Sequence, residues 1–247
     1  EIPLRLVGSE MCIRDRIIAG GSGQRMHQDI PKQFLNVNDK PVIIYTLEAF
    51  QKHPSIDAIL VVCIDGWETV LQAYANQFNI DKLKWIVPGG LNGQRSIYNG
   101  IKELEKHIKK EDTVLIHDAI RPMVSSEIIS DCIRVCNMRG SAIAVIPCAE
   151  AMLLKESEDA AVSEIERSSL VRTQTPQAFK LQKLLWAHEE AAKRGITNSV
   201  ASCTLMVELG EKVYFSAGSE KNVKLTTVDD IEIFKALLAT REDEWLK

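Results

Sequence analysis

Apolar positions along this chain follow two periods. Short continuous apolar runs end at Ala19, at Cys63 (AILVVC), at Val87 (KWIV), at His117 (TVLIH) and at Pro147 (AIAVIP), and amphipathic stretches of helical period separate most of them. Runs of that kind suit strands covered on both faces. Their alternation with helices predicts an α/β fold, a doubly wound and mostly parallel sheet with right-handed crossovers. Further along, LQKLLWAHEEAAKRG and NSVASCTLMVELG read as helices, KVYFSAG and NVKL as short strands, and a terminal helix begins near Thr227 with Asp229 and Asp230 in its first turn.

Two segments depart from this plan. From Cys148 to Arg172 the chain is charged, short in period and poor in Gly and Pro. An excursion of that length is functional or an interaction arm more often than a plain connection. At the other end, Arg14, Asp15 and Arg16 stand just before Ile17, where a strand covered on both faces calls for apolar side chains. The expectation is that residues 1–16 are partly foreign to the natural protein and that a single domain occupies 17–247.

Length and composition support one full core: 247 residues, 45% of them hydrophobic. A net charge of -4 and a pI near 5.8 leave no basic footprint for nucleic acid or an anionic membrane, while small anionic substrates need only a few local cations. No apolar run approaches the roughly 20 residues of a membrane-spanning helix, and no signal peptide is evident. Six cysteines without a CxxC pair, most of them in apolar runs, read as core thiols of a cytoplasmic protein. Cys132 and Cys136, four apart, read as neighbours on one helix face, because no His or second pair completes a metal site.

Candidate chemistry sits in three loops that all follow strand ends: GGSGQR, PGGLNGQRS and HDAIRP. In wound parallel sheets, ligands bind beyond the carboxyl ends of the strands, so these loops can share one crevice. Gly20, Gly21 and Gly23 let backbone N–H groups approach phosphate oxygens, and Arg25 and Lys32 follow with side-chain charge. A dinucleotide fingerprint would need glycine where Met26 stands, and a Walker A loop would need Gly-Lys-Ser/Thr, so the phosphates are held by another scheme.

Taken together, AGGSGQRM, PKQF, HDAIRP, TQTPQAF and NVKLTT resemble the cytidylyltransferase family that makes CDP-methylerythritol or CDP-ribitol, from about Ile17 to the terminal helix. The resemblance implies a Rossmann-like nucleotidyltransferase fold with a protruding dimerisation arm at about 148–172. It also implies transfer of CMP from CTP to a polyol phosphate, with 2-C-methyl-D-erythritol 4-phosphate as first acceptor and ribitol 5-phosphate as the alternative. By the same resemblance Arg25, Lys32 and Lys224 are the catalytic cations. Ala19, Gly20, Gly21, Gly23, Gly90 and Ser96 hold the nucleotide, with the Gly90 backbone against the cytosine edge. Asp118, Arg121, Arg167 and Thr175 serve the acceptor, Arg167 from the arm of a second subunit in a homodimer. Mg²⁺ is the implied cofactor, held mainly through phosphates with Asp118 as the candidate side-chain ligand. His117 reads as structural.

The chain departs from the family pattern in places. Leu91 stands where the family carries an acid in the base loop, and Gly93 where it carries Arg. Ala151 replaces a Thr, and Asn198 an acid, both on the acceptor side. Loss of a hydroxyl and a carboxylate removes partners for acceptor hydroxyls. Two rival readings are a sugar-nucleotide pyrophosphorylase, which shares the glycine-rich loop but not HDAIRP, and a non-catalytic nucleotide-binding protein, which would have shed a phosphate-clamping cation.

Overall fold

The computed structural model describes the backbone of β1 (Ile13–Ile18) and residues 30–243, with side chains over 30–240. The sequence expectations for Ala19, Gly20, Gly21, Gly23 and Arg25 therefore lie outside the described residues, as does Cys12.

Beyond β1 come a small hairpin, β2 (Asn36–Val37) and β3 (Lys40–Pro41), then α1 (Val42–Lys52), β4 (Ile59–Cys63), α2 (Glu68–Gln77), β5 (Leu83–Pro88), α3 (Gly93–Leu104), β6 (Thr113–Asp118), α4 (Ser126–Arg139) and β7 (Ser141–Pro147). A second hairpin, β8 (Met152–Lys155) and β9 (Ala161–Ile165), precedes β10 (Val171–Lys180), α5 (Leu181–Lys193), α6 (Ser202–Glu208), β11 (Phe215–Ala217) and α7 (Val228–Asp243). The main sheet has seven strands in the order β11-β7-β10-β6-β1-β4-β5. Every pairing in it is parallel except those of β10, which runs antiparallel to both β6 and β7. The expected strands at Cys63, Val87, His117 and Pro147 all form, each ending within a residue of its predicted end.

Alternation along the buried strands sends side chains into two layers. Ile59, Val61 and Cys63 of β4 face one layer with α1, α2 and α4, anchored by Leu47, Phe50 and Ile129. Leu60 and Val62 face the other, with α3, α5 and α6, where Ile101, Phe179, Leu184 and Met206 pack. A third, smaller cluster joins Phe234 of α7 to Val42, Ile120, Met123 and Leu225. This last cluster ties the loop after β6 to the loop before α7.

Three expectations change. NVKL is not a strand: no ladder forms over 222–226, and its anchors are individual hydrogen bonds such as Leu225 N–H to the Ile120 carbonyl at 2.9 Å. The antiparallel strand β10 was not anticipated. Charged residues Arg14, Asp15 and Arg16 do not break β1, whose backbone pairs with β6 from Ile13 to Ile18, Asp15 opposite Leu115. The excursion after β7 is the β8–β9 hairpin, with Met152, Leu153, Leu154 and Val162 exposed on it. Cys132 and Cys136 do share α4, both buried, and burial pushes the Cys136 thiol up to about 11.

Candidate active site

Asp118 stands at the carboxyl end of β6, and the following turn folds back tightly, Arg121 N–H donating to the Asp118 carbonyl at 3.0 Å. Arg121 Nε lies 3.0 Å from Asp118 Oδ2, and Lys224 Nζ lies 3.2 Å from Oδ1. Asp118 thus sits between two cations, one local and one from the far end of the chain. Enclosure by the protein favours its neutral form, but the charges of Lys224 and Arg121 together outweigh this and hold the carboxyl below its usual range. One carboxylate against two cations leaves a net positive charge, and 43% of the Lys224 side chain remains open to solvent.

Surrounding bonds fix this triad from four directions. Thr175 Oγ1 accepts from the Asp118 N–H at 3.0 Å, the Asn222 carbonyl accepts from Arg121 Nη1 at 2.7 Å, and buried Thr46 of α1 donates to the Ala119 carbonyl at 2.8 Å. His117 is fully enclosed: burial drives its pKa down to about 4, and as a neutral ring it donates from Nε2 to the Arg121 carbonyl at 3.2 Å. It stiffens the turn.

The second loop, after β5, is built around one close approach. Gly90 N–H donates to Ser96 Oγ at 2.9 Å, and Asn92 caps α3 by accepting from Arg95 N–H at 2.8 Å. A Cβ on Gly90 would lie 2.5 to 2.8 Å from atoms of Arg95, so only glycine fits there. The Gly90 N–H is thereby committed to Ser96. Gly93, by contrast, has open space around it, and Leu91 is fully exposed. The loop carrying Asn198 is docked on this one, through Asn92 Nδ2 to the Thr197 carbonyl at 2.8 Å and Ser199 N–H to Gln94 Oε1 at 2.7 Å.

Of the expected residues, the structure therefore joins Asp118, Arg121, Thr175 and Lys224 in one cluster and Gly90 with Ser96 in another. Lys32 opens a 3-10 turn, Lys32–Phe34, just after Pro31. Arg167 sits on the exposed segment after β9, where Nη1 donates to the Ala149 carbonyl at 3.1 Å. Sequence reasoning assigned no role to Gln174, Asn222 or Thr46. The first two lie inside TQTPQ and NVKLTT, so their place in a motif was the available signal; nothing marks Thr46.

The carboxylate held between two cations at the end of β6 and the loop closed on Gly90 after β5 stand on the same edge of the sheet, since β6, β1, β4 and β5 all run parallel. Residues 14–240 match the family model described as 2-C-methyl-D-erythritol 4-phosphate cytidylyltransferase, IspD. The chain belongs to this family. As a cytidylyltransferase, it is 45% identical over 228 residues to the ribitol-5-phosphate cytidylyltransferase of Lacticaseibacillus paracasei, covering 92% of this chain and 97% of that one. It is 37% identical over 223 residues to the 2-C-methyl-D-erythritol 4-phosphate cytidylyltransferase of Clostridium botulinum, covering 90% and 95%. The crystal structure of 4-diphosphocytidyl-2C-methyl-D-erythritol synthase from Anaerococcus prevotii shares the fold with a TM-score of 0.78 at 23% identity, over 92% and 96% of the two chains. This cytidylyltransferase has no helix among the described residues long and apolar enough to cross a membrane.

Proposed function

We propose that this cytidylyltransferase uses ribitol 5-phosphate as its acceptor, forming CDP-ribitol and pyrophosphate. The observation that carries this reading is the 45% identity, across nearly the full length of both chains, to a protein named for that activity. Sequence alone put the methylerythritol acceptor first. Ala151 and Asn198, which lack the hydroxyl and acid of the methylerythritol pattern, argue in the same direction as the relative. 2-C-methyl-D-erythritol 4-phosphate stays as the second reading, favoured by the family model and by the Clostridium botulinum relative.

In the proposed reaction, a phosphate oxygen of the acceptor attacks the α-phosphorus of CTP. The bond to the bridging oxygen breaks, and pyrophosphate leaves with the electron pair. Such a transition state asks for positioning and fixed positive charge. Arg25 and Lys32 supply the charge on the triphosphate side. Lys224 supplies it on the acceptor side, with its ammonium aimed by Asp118. Arg121 and Thr175 hold Asp118 in place, and the net positive charge of the cluster suits a phosphate monoester. The Gly90 carbonyl suits the cytosine amino group and opposes the carbonyl that uracil carries there, with Ser96 holding the loop.

Among the described residues no three His, Cys, Asp or Glu side chains gather as a metal cage, and Asp118 is a lone carboxylate already engaged by two cations. These donors fit a Mg²⁺ held mainly by phosphate oxygens, with Asp118 as its protein ligand. Such an ion would neutralise charge on the leaving pyrophosphate. We further propose a homodimer in which the exposed face of the β8–β9 hairpin packs on a second copy and Arg167 reaches that copy's acceptor phosphate.

Pyrophosphate release from CTP and Mg²⁺ tests the acceptor. kcat/KM for ribitol 5-phosphate should exceed that for 2-C-methyl-D-erythritol 4-phosphate by about tenfold or more, the scale of a lost hydrogen-bonding partner. The reverse order would establish the second reading, and release with neither would remove both. Specific activity that holds constant on dilution into a monomeric state would remove the shared site.

A further inference from the structure

Two buried amides outside the Asp118 triad hold the segment that carries Lys224. Gln174 keeps 6% of its surface and Asn222 none. Gln174 Nε2 donates to the Ser219 carbonyl at 2.9 Å, and its Oε1 accepts from the Ser219 N–H and from Asn222 Nδ2, each at 3.2 Å. Asn222 Nδ2 also donates to the Thr175 carbonyl at 2.9 Å. One side-chain amide thus gives the turn Ser219–Asn222 what a neighbouring strand would otherwise give, a donor and an acceptor side by side. The turn is seated closely: a Cβ on Gly218 would fall 2.7 Å from Gln174 Oε1 and 2.8 Å from the Val145 carbonyl.

Gln174 is free to do this because β10 slips against β7. Thr173 pairs with Val145 and Gln177 with Ile143, so four residues of β10 span what two of β7 span. Gln174 and Thr175 leave the ladder there and turn to other partners. On the far side of the turn, the Asn222 carbonyl receives Arg121 Nη1 at 2.7 Å and the Leu225 N–H reaches Ile120 at 2.9 Å. Lys224 lies between these two anchors.

We infer that Gln174, acting through Asn222, is a positioning residue that sets Lys224 and Arg121 against Asp118. The inference rests on the reading that Lys224 works at the reacting phosphates. A residue of like volume without the amide would fill the space but leave the Ser219 N–H and the turn without their buried partner.

The test is a double-mutant cycle of Gln174→Met and Lys224→Ala, read at saturating CTP, beside hydrogen exchange of the Leu225 N–H, which ties the Lys224 segment to Ile120, in each variant. Gln174→Met should lower kcat about ten- to hundredfold, the effect of a displacement near one ångström, with the KM for CTP within about threefold. In the Lys224→Ala background the same change should lower kcat less than about threefold, because the group it positions is gone. Leu225 exchange should speed by about tenfold or more whenever Gln174→Met is present. Equal losses in the two backgrounds would assign Gln174 a general structural role and overturn the inference, as would Leu225 exchange unmoved by Gln174→Met. A Lys224→Ala enzyme with native kcat, in which Gln174→Met still speeds Leu225 exchange, would sink the catalytic reading and leave the positioning intact. Asn222→Ala serves in the same cycle if Gln174→Met does not fold.

Discussion

Lys224 Nζ lies 3.2 Å from each carboxylate oxygen of Asp118, a residue 106 positions earlier in the chain. This contact joins the end of β6 to the loop ahead of α7. It also leaves the Lys224 side chain partly exposed, so that a phosphate can reach it from solvent.

Removing that ammonium should therefore affect chemistry more than binding. For Lys224→Ala the expected loss in kcat is about 10²- to 10³-fold, the scale for one fixed group that stabilises transition-state charge, with the KM for CTP changed only a few-fold. Steady-state kinetics with CTP and ribitol 5-phosphate checks it. An equal loss confined to KM would assign Lys224 to ground-state binding.

Asp118 predicts an acid dependence of stability. Its carboxyl titrates below the usual range in the folded protein, so the stabilisation it contributes is present above the unfolded value, about 3.9, and is lost as pH falls through the lower folded value. Unfolding free energies from urea titration of the native protein and Asp118→Asn should differ by about 1 kcal/mol at pH 7, a modest figure because the pair is partly solvated, and should converge as pH falls below about 3.9. A gap that acid leaves undiminished would show that the ion pair is not its source.

Gly90→Ala should damage nucleotide recognition selectively. The added methyl meets Arg95 at 2.5 to 2.8 Å, so the loop must shift and the Gly90–Ser96 hydrogen bond with it. The expected result is a KM for CTP raised about tenfold, with discrimination against UTP reduced and the thermal midpoint nearly kept. Gly93→Ala, which meets nothing within 4 Å, is the control.

Acceptor preference should follow the two altered side chains. Ala151→Thr with Asn198→Asp restores a hydroxyl and a carboxylate, and the kcat/KM ratio should move towards 2-C-methyl-D-erythritol 4-phosphate by about tenfold. Both positions are exposed, so little change in stability should accompany it. An unmoved ratio would place acceptor selection elsewhere.

What local pattern decides, the sequence by itself determined. Apolar runs and helical periods marked β4, β5, β6 and β7 with the helices between them, because packing against helix layers, complete for β4 and partial for the edge strand β5, leaves a mark within a few residues. Motif chemistry likewise marked Asp118, Arg121, Thr175 and Lys224 before any of them could be seen together. Pairing partners and the direction of a strand leave no such local mark. Only the tertiary structure turned β10 antiparallel between β6 and β7, made NVKL a tethered loop and carried β1 through Arg14, Asp15 and Arg16. It also recruited Gln174 and Asn222, ordinary amides in the sequence, as the clamp beneath Lys224, because a buried polar group takes its role from whatever the rest of the chain brings within hydrogen-bonding distance.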